Sequence, residues 1–137
     1  FDTDKSTLKK SGKKELDQFM KGYFKVLLND KFKKNIAEII IEGHTDTDGT
    51  YNYNLELSQK RALSVSKYCL NNDKLDLSSD QKSHLRKIIT ANGRSFSNLI
   101  KKANGSIDKA KSRRVVFQFR LKDEEMIQEL QEILREN

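Results

Sequence analysis

Residues 42–62, EGHTDTDGTYNYNLELSQKRA, decide how this chain is read. An isoleucine-rich run ends at Gly43, residues 44–52 are polar and contain Gly49, and a helical pattern follows from Tyr53. The stretch is therefore a strand end, a loop and a helix start. Asp46 and Arg61 lie fifteen residues apart with Asn54 between them. Asn54 and Arg61 are two helical turns apart and share a face. A carboxylate, an amide and a guanidinium thus converge where a strand meets a helix. Such a set suits a small zwitterion: the carboxylate takes an ammonium and the arginine fork takes a carboxylate bidentately. A plainer account stays open on the residues alone, in which the loop acids merely cap the following helix.

Working outward, Ile36–Ile41 is bounded by charge and by Gly43, and predicts a buried central strand. Ser58, Ala62, Val65 and Cys69 step along one face of a helix over residues 53–71. Upstream, Leu16, Phe19, Met20, Tyr23, Phe24 and Leu27 predict a core-facing helix over 13–28, with Ser11 as its N-cap. Downstream, Ser78 and Gln81 have capping-box spacing for a short helix through about Arg86. Lys87–Ala91 predicts a strand, and residues 92–111 a loop with a helical turn after Ile107. Residues 112–121 alternate, with Val115, Phe117 and Phe119 on one face. Residues 123–136 form an amphipathic tail helix whose stripe is Met126, Ile127, Leu130, Ile133 and Leu134, expected to pack on the domain. The expected class is α/β, in the order β-α-β-α-β-β with helices packed on the sheet and an extra C-terminal helix. The strand–helix–strand crossover implies a parallel pair. The domain is placed at 1–121 and the appended helix at 122–137.

A chain of 137 residues fits one domain with a real core. No apolar run reaches the length of a membrane span, and no signal peptide is visible. The chain opens at Phe1 without a methionine, which suggests a piece of a longer protein whose preceding part carries a membrane anchor. Cys69 is the only cysteine, so no intrachain disulfide forms, and its place on an apolar face predicts burial. No cofactor or metal is expected. Counted from Asp46, a calcium loop wants glycine and glutamate where Tyr51 and Leu57 stand, and His84 sits in a different element from His44. His44 is expected to hydrogen-bond the loop. No nucleophile has a base and an orienting group in its pattern, so no enzyme is expected.

The stretch also resembles a known family. G-H-T-D, then Gly49, Asn54, Leu57-Ser58 and Arg61-Ala62, is similar to the peptidoglycan-binding domain shared by OmpA, MotB and Pal-type proteins. Ser112-Arg113-Arg114-Val115 resembles that family's closing N-R-R-V strand, with Ser112 departing from it, and Phe1 resembles its opening aromatic. The residues from Ser112 to Glu125 are also similar to the MotB-like subunit of Zorya antiphage systems. The resemblance implies a noncatalytic domain that binds diaminopimelate in the peptidoglycan stem peptide. Asp46 would hold its amino group and Arg61 its carboxylate, with Thr45, Asn54 and Arg113 assisting. It further implies a periplasmic domain of a membrane-anchored protein, a MotB-like stator or a Zorya subunit, anchored to the cell wall, and it admits a homodimer.

Charge supplies the alternative. Residues 81–121 hold eleven Lys or Arg against one acid, a net of +10, while residues 122–137 are net −4. Such a block suits a nucleic-acid-binding module. The basic-plus-aromatic surface strand of an RNA-recognition sheet is missing, because Phe117 and Phe119 are expected to face the core, so no nucleic-acid partner is expected.

Overall fold

The computed structural model describes residues 1, 5–122 and 124–136. Helix α1 spans Lys10–Leu27 and strand β1 Ile36–His44. Helices α2 (Tyr51–Leu70) and α3 (Ser79–Ile88) lead to strand β2 (Ile89–Gly93). A four-residue helix, α4 (Lys109–Ser112), precedes strand β3 (Arg114–Leu121) and helix α5 (Glu124–Glu136). The sheet order is β2-β1-β3, with β1 parallel to β2 and antiparallel to β3. The α/β class and the parallel crossover pair are as expected. The strand-first order is corrected: α1 precedes every named strand, and among the described residues the sheet has three strands rather than four.

The register explains which face is covered. Ile39 and Ile41 pair with Phe119 and Phe117 across β3 and point to one side. Met20, Phe24 and Leu27 of α1 and Ala62, Val65 and Cys69 of α2 join Ile39 and Ile41 in the core. Phe117 packs among the rings of Phe19, Tyr23 and Phe24, while Phe119 meets one ring among the described residues, that of Tyr23, and stays half exposed. The opposite face is mixed: Glu38 pairs with Arg120 at 3.6 Å, and Ile40 and Val116 lie beside them. Burial pushes the Cys69 thiol up to about 12, so it stays protonated and serves as a small apolar group.

Two glycines let α2 sit against the sheet. Gly43 and Gly93 are register partners on β1 and β2. A Cβ on Gly43 would fall 2.1 Å from the Ser58 carbonyl oxygen, and one on Gly93 would fall 2.5 Å from the Gln59 nitrogen. Only hydrogen fits in either gap. Gln59 uses this proximity: its amide donates to the Ala91 carbonyl and accepts from Gly93 N–H, both at 2.8 Å. It thereby imitates a neighbouring strand along the open side of β2, a guard against edge pairing that the sequence does not announce.

Several boundaries differ from expectation for local reasons. The N-cap of α1 is Lys9 without a side-chain cap, and Ser11 lies inside the helix. The Ser78–Gln81 capping box is present as expected, and α3 continues two residues past Arg86, displacing β2 to Ile89–Gly93.

The tail helix departs further. Asp123 lies outside the described residues, and α5 begins at Glu124. Ile127, Leu130, Ile133 and Leu134 are 43% to 66% exposed, so the expected packing is not found for these four, and the side chain of Met126 lies outside what the structure describes. The core face of the sheet is already filled by α1 and α2, and on the other face Ile40 and Val116 stand among Glu38, Glu42, Gln118 and Arg120. Truncation after Lys122 is therefore expected to shift the melting temperature by less than about 3 °C, where losing 1 kcal/mol costs a small domain roughly 4–8 °C. A larger drop in differential scanning calorimetry would show that α5 is seated on the domain.

Candidate functional site

The end of β1 and the start of α2 build one polar corner. Thr50 is the N-cap of α2, accepting from Tyr53 N–H at 3.1 Å. The capping duty therefore belongs to a threonine and not to the loop acids. Gly49 takes φ +89, a left-handed turn that returns the loop to the helix. Asn54, one turn into α2, donates to the carbonyls of Asp48 at 2.8 Å and Thr50 at 2.9 Å, which fixes the loop over the helix start.

Thr45, Asp46, Asn54, Arg61 and Arg113, all five residues singled out in the sequence, line one cleft of about 100 Å³ together with Asp48 and Leu57. Clefts for drug-sized ligands run roughly 300–1,000 Å³, so this one fits a single small polar group. Asp46 is 5% exposed. Its Oδ1 accepts from Asp48 N–H at 2.9 Å and its Oδ2 from Arg113 at 2.5 Å. Burial pushes the Asp46 carboxyl up, but the Asp48 N–H and the Arg113 guanidinium outweigh it, holding the group below the usual carboxylate range. A carboxylate has about four lone-pair sites, and two hydrogen bonds leave acceptor capacity for a ligand ammonium.

Arg61 is 1% exposed. Its Nε donates to the Lys5 carbonyl at 2.9 Å, and its guanidinium carbon lies 5.3 Å from the centre of the Phe1 ring. A buried arginine costs heavily unless its donors are satisfied. Here the N-terminal segment supplies a carbonyl and a π face, so the fork is oriented before any ligand arrives. Arg113, the C-cap of α4, turns to Asp46, while Arg114, the first residue of β3, donates to the carbonyls of Asn98 and Ser112.

Sequence reasoning missed three supports of this corner. Ser95 is fully buried at φ +51. Its N–H donates to Ser58 Oγ, its hydroxyl donates to the Tyr51 carbonyl, and its carbonyl accepts from Thr45 N–H. It joins β1, α2 and the segment after β2, and no local pattern marks a serine for a left-handed position. Lys109 bridges to Asp48 at 2.8 Å, closing the loop against α4 from 61 residues away. Lys5 contributes through its backbone alone, which no residue type reveals.

His44 corrects another expectation. It pairs with Glu42 on its own strand, Nε2 to Oε1 at 3.0 Å, and not with the loop. Its Nδ1 is buried without a hydrogen-bond partner. Burial first, then the positive charge of Arg114, pushes the imidazole below its ordinary value of 6.5, with Glu42 opposing. The folded state therefore keeps His44 neutral while the unfolded chain binds a proton near pH 6.5. This stability is complete above that pH and is lost as pH falls below it. The melting temperature is expected to drop between about pH 7.5 and about pH 5.5, and the slope should shrink in His44→Gln. An unchanged slope in that variant would remove His44 as the cause.

Comparisons with known proteins place the fold. The chain is 35% identical over 101 residues to the Zorya protein ZorB of Escherichia coli O139:H28 (strain E24377A / ETEC), covering 72% of this chain and 41% of that relative. The chain thus spans less than half the length of that relative. Among solved structures it is similar to the peptidoglycan-associated lipoprotein from Burkholderia pseudomallei, with TM-score 0.57 and 24% identity over 88% of this chain and 86% of that one. It is also similar to the periplasmic domain of Helicobacter pylori MotB, with TM-score 0.57 and 17% identity over 95% and 76% of the two chains. At those identities the structures speak to the fold. A model of the OmpA family matches residues 1–114, more than half of the chain, and the chain belongs to that family.

Proposed function

We propose that this domain binds peptidoglycan without catalysis and anchors a membrane protein to the cell wall. The observation that carries the reading is the convergence of Thr45, Asp46, Asn54, Arg61 and Arg113 on one small polar cleft. Opposite charges across a space of about 100 Å³ suit the amino-acid centre of a diaminopimelate side chain in a stem peptide. Asp46 takes the ammonium, and Arg61, with Arg113 beside Asp46, takes the carboxylate. Affinity for one stem peptide is modest, because the ligand competes with water and with the existing Asp46–Arg113 pair. Many equivalent sites in one wall then add avidity. The setting proposed is periplasmic and membrane-tethered, and the specific role proposed is that of a stator-like antiphage subunit, a reading supported by the 35% identity to the Zorya protein ZorB. No helix among the described residues is long and apolar enough to cross a membrane.

Co-sedimentation with purified diaminopimelate-containing sacculi tests the reading. The folded domain is expected in the pellet with sacculi and in the supernatant without them. Equal supernatant levels in both would overturn it.

A further inference from the structure

Between β2 and β3 the chain makes a basic excursion, residues 94–113, whose base is a wall of the cleft. Arg113 and the Lys109 partner Asp48 both line that cleft. The single acid of residues 81–121, Asp108, is spent on capping α4, where its Oδ1 accepts from Lys111 N–H at 3.1 Å. Lys109 and Arg113 are neutralised by Asp48 and Asp46. Arg94, Lys101, Lys102 and Lys111 are exposed and have no acidic partner among the described residues.

These four cations are held on a fixed frame. Lys101 and Ile107 form an antiparallel bridge, and Lys102 N–H donates to the Ser106 carbonyl at 2.8 Å. Gly105, at φ +86, makes the turn between them. Ile100 N–H donates to the Ser112 hydroxyl at 3.0 Å, pinning the base of the excursion beside Arg113. Arg94 N–H donates to the Gly43 carbonyl at 2.9 Å at the other end. A concentrated, uncompensated positive surface beside a ligand cleft raises the local concentration of anions.

We propose that this excursion is a second binding surface, engaging carboxylates of stem peptides that neighbour the one held in the cleft. The inference rests on the wall reading above and deepens it. A wall is a lattice of stem peptides with free carboxylates, so a domain held at one stem meets further anions at high effective concentration. Each exposed ion pair is weak, but four act together on one frame. A single-stranded nucleic acid fits less well. Phe96, the one aromatic ring of the excursion, meets Tyr51 edge-on at 5.3 Å and offers no series of stacking faces.

The test replaces Arg94, Lys101, Lys102 and Lys111 together by glutamine, with folding checked by thermal melting. Binding to purified sacculi is measured at about 50 mM and about 500 mM salt, and binding to a soluble diaminopimelate stem peptide by calorimetry. The variant is expected to bind sacculi roughly tenfold more weakly at low salt. It should match the wild type at high salt, where screening shortens the reach of surface charge to a few ångströms. Its affinity for the soluble peptide should not change, because the cleft is intact. Unchanged binding to sacculi at low salt would overturn the proposal, as would an equal loss on the soluble peptide. Tighter wild-type binding to single-stranded RNA than to sacculi, abolished in the variant, would assign the surface to nucleic acid and overturn it too. If the wild type ignores the soluble peptide yet the salt-sensitive difference on sacculi persists, the cleft reading fails and the surface stands.

Discussion

Asp46→Asn is expected to weaken binding of a diaminopimelate stem peptide by about 2–5 kcal/mol, the range for losing one partner of a desolvated charge pair. The substitution keeps the shape of the side chain and removes the charge that meets the ammonium. It also leaves Arg113, now held by Asp46 at 2.5 Å, beside a neutral amide. Arg61→Lys should cost a similar amount although it conserves charge. A lysine has no planar fork, cannot reproduce the Nε contact to the Lys5 carbonyl, and would bury a strongly hydrated ammonium at a position that is 1% exposed. Replacing diaminopimelate by lysine in the peptide removes the second amino-acid centre and should weaken wild-type binding as well. Isothermal calorimetry on both variants and both peptides decides this. Wild-type affinity in folded variants would return Asp46 to the role of an ordinary loop residue that accepts from Asp48 N–H.

Of the six glycines, Gly43 should tolerate an added methyl group least, since its Cβ would make the closest approach of the set. Overpacking a core costs roughly 1–3 kcal/mol when side chains can shift. Here the new methyl meets the backbone carbonyl of Ser58 at 2.1 Å, and backbone cannot rotate away. Helix α2 would have to lift from the sheet, taking Asn54 and Arg61 with it, so a loss of about 3 kcal/mol or more is expected. That is a large part of the roughly 5–15 kcal/mol that holds a typical domain together. Gly105→Ala, where no atom lies within 4 Å of the added carbon, serves as the reference for backbone strain at a positive φ without a clash. Urea denaturation of both variants measures the difference. Equal stability of Gly43→Ala and the wild type would mean that the helix and sheet have slack at this crossing.

The main elements were legible because their signals are local. The 3.6-residue rhythm from Leu16 to Leu27, the isoleucine run ending at Gly43, the alternation from Val115 to Phe119 and the Ser78–Gln81 box each report the state of their own segment. The residues that line the candidate cleft were legible for a different reason. Asp46, Asn54 and Arg61 sit within one strand–loop–helix unit, so sequence spacing alone brings them near each other. Arg113, 67 residues from Asp46, was reached through resemblance, and the sheet register that places it there appears in no local pattern.

The sequence by itself determined the class, the core helices, the central strand and the polar corner. Only the tertiary structure decided how that corner is held. Asp46 is engaged by Arg113, Arg61 is fixed by the carbonyl of Lys5 and the ring of Phe1, and Ser95 is locked in a left-handed turn among three elements. It also decided that α5 leaves Ile127, Leu130, Ile133 and Leu134 exposed. The physical reason is common to these cases. Periodicity records which face of an element is apolar, but not which neighbour occupies that face or whether any seat remains. Backbone carbonyls, absent close contacts and long-range ion pairs carry no residue-type signature, so they are settled only when the chain has closed on itself.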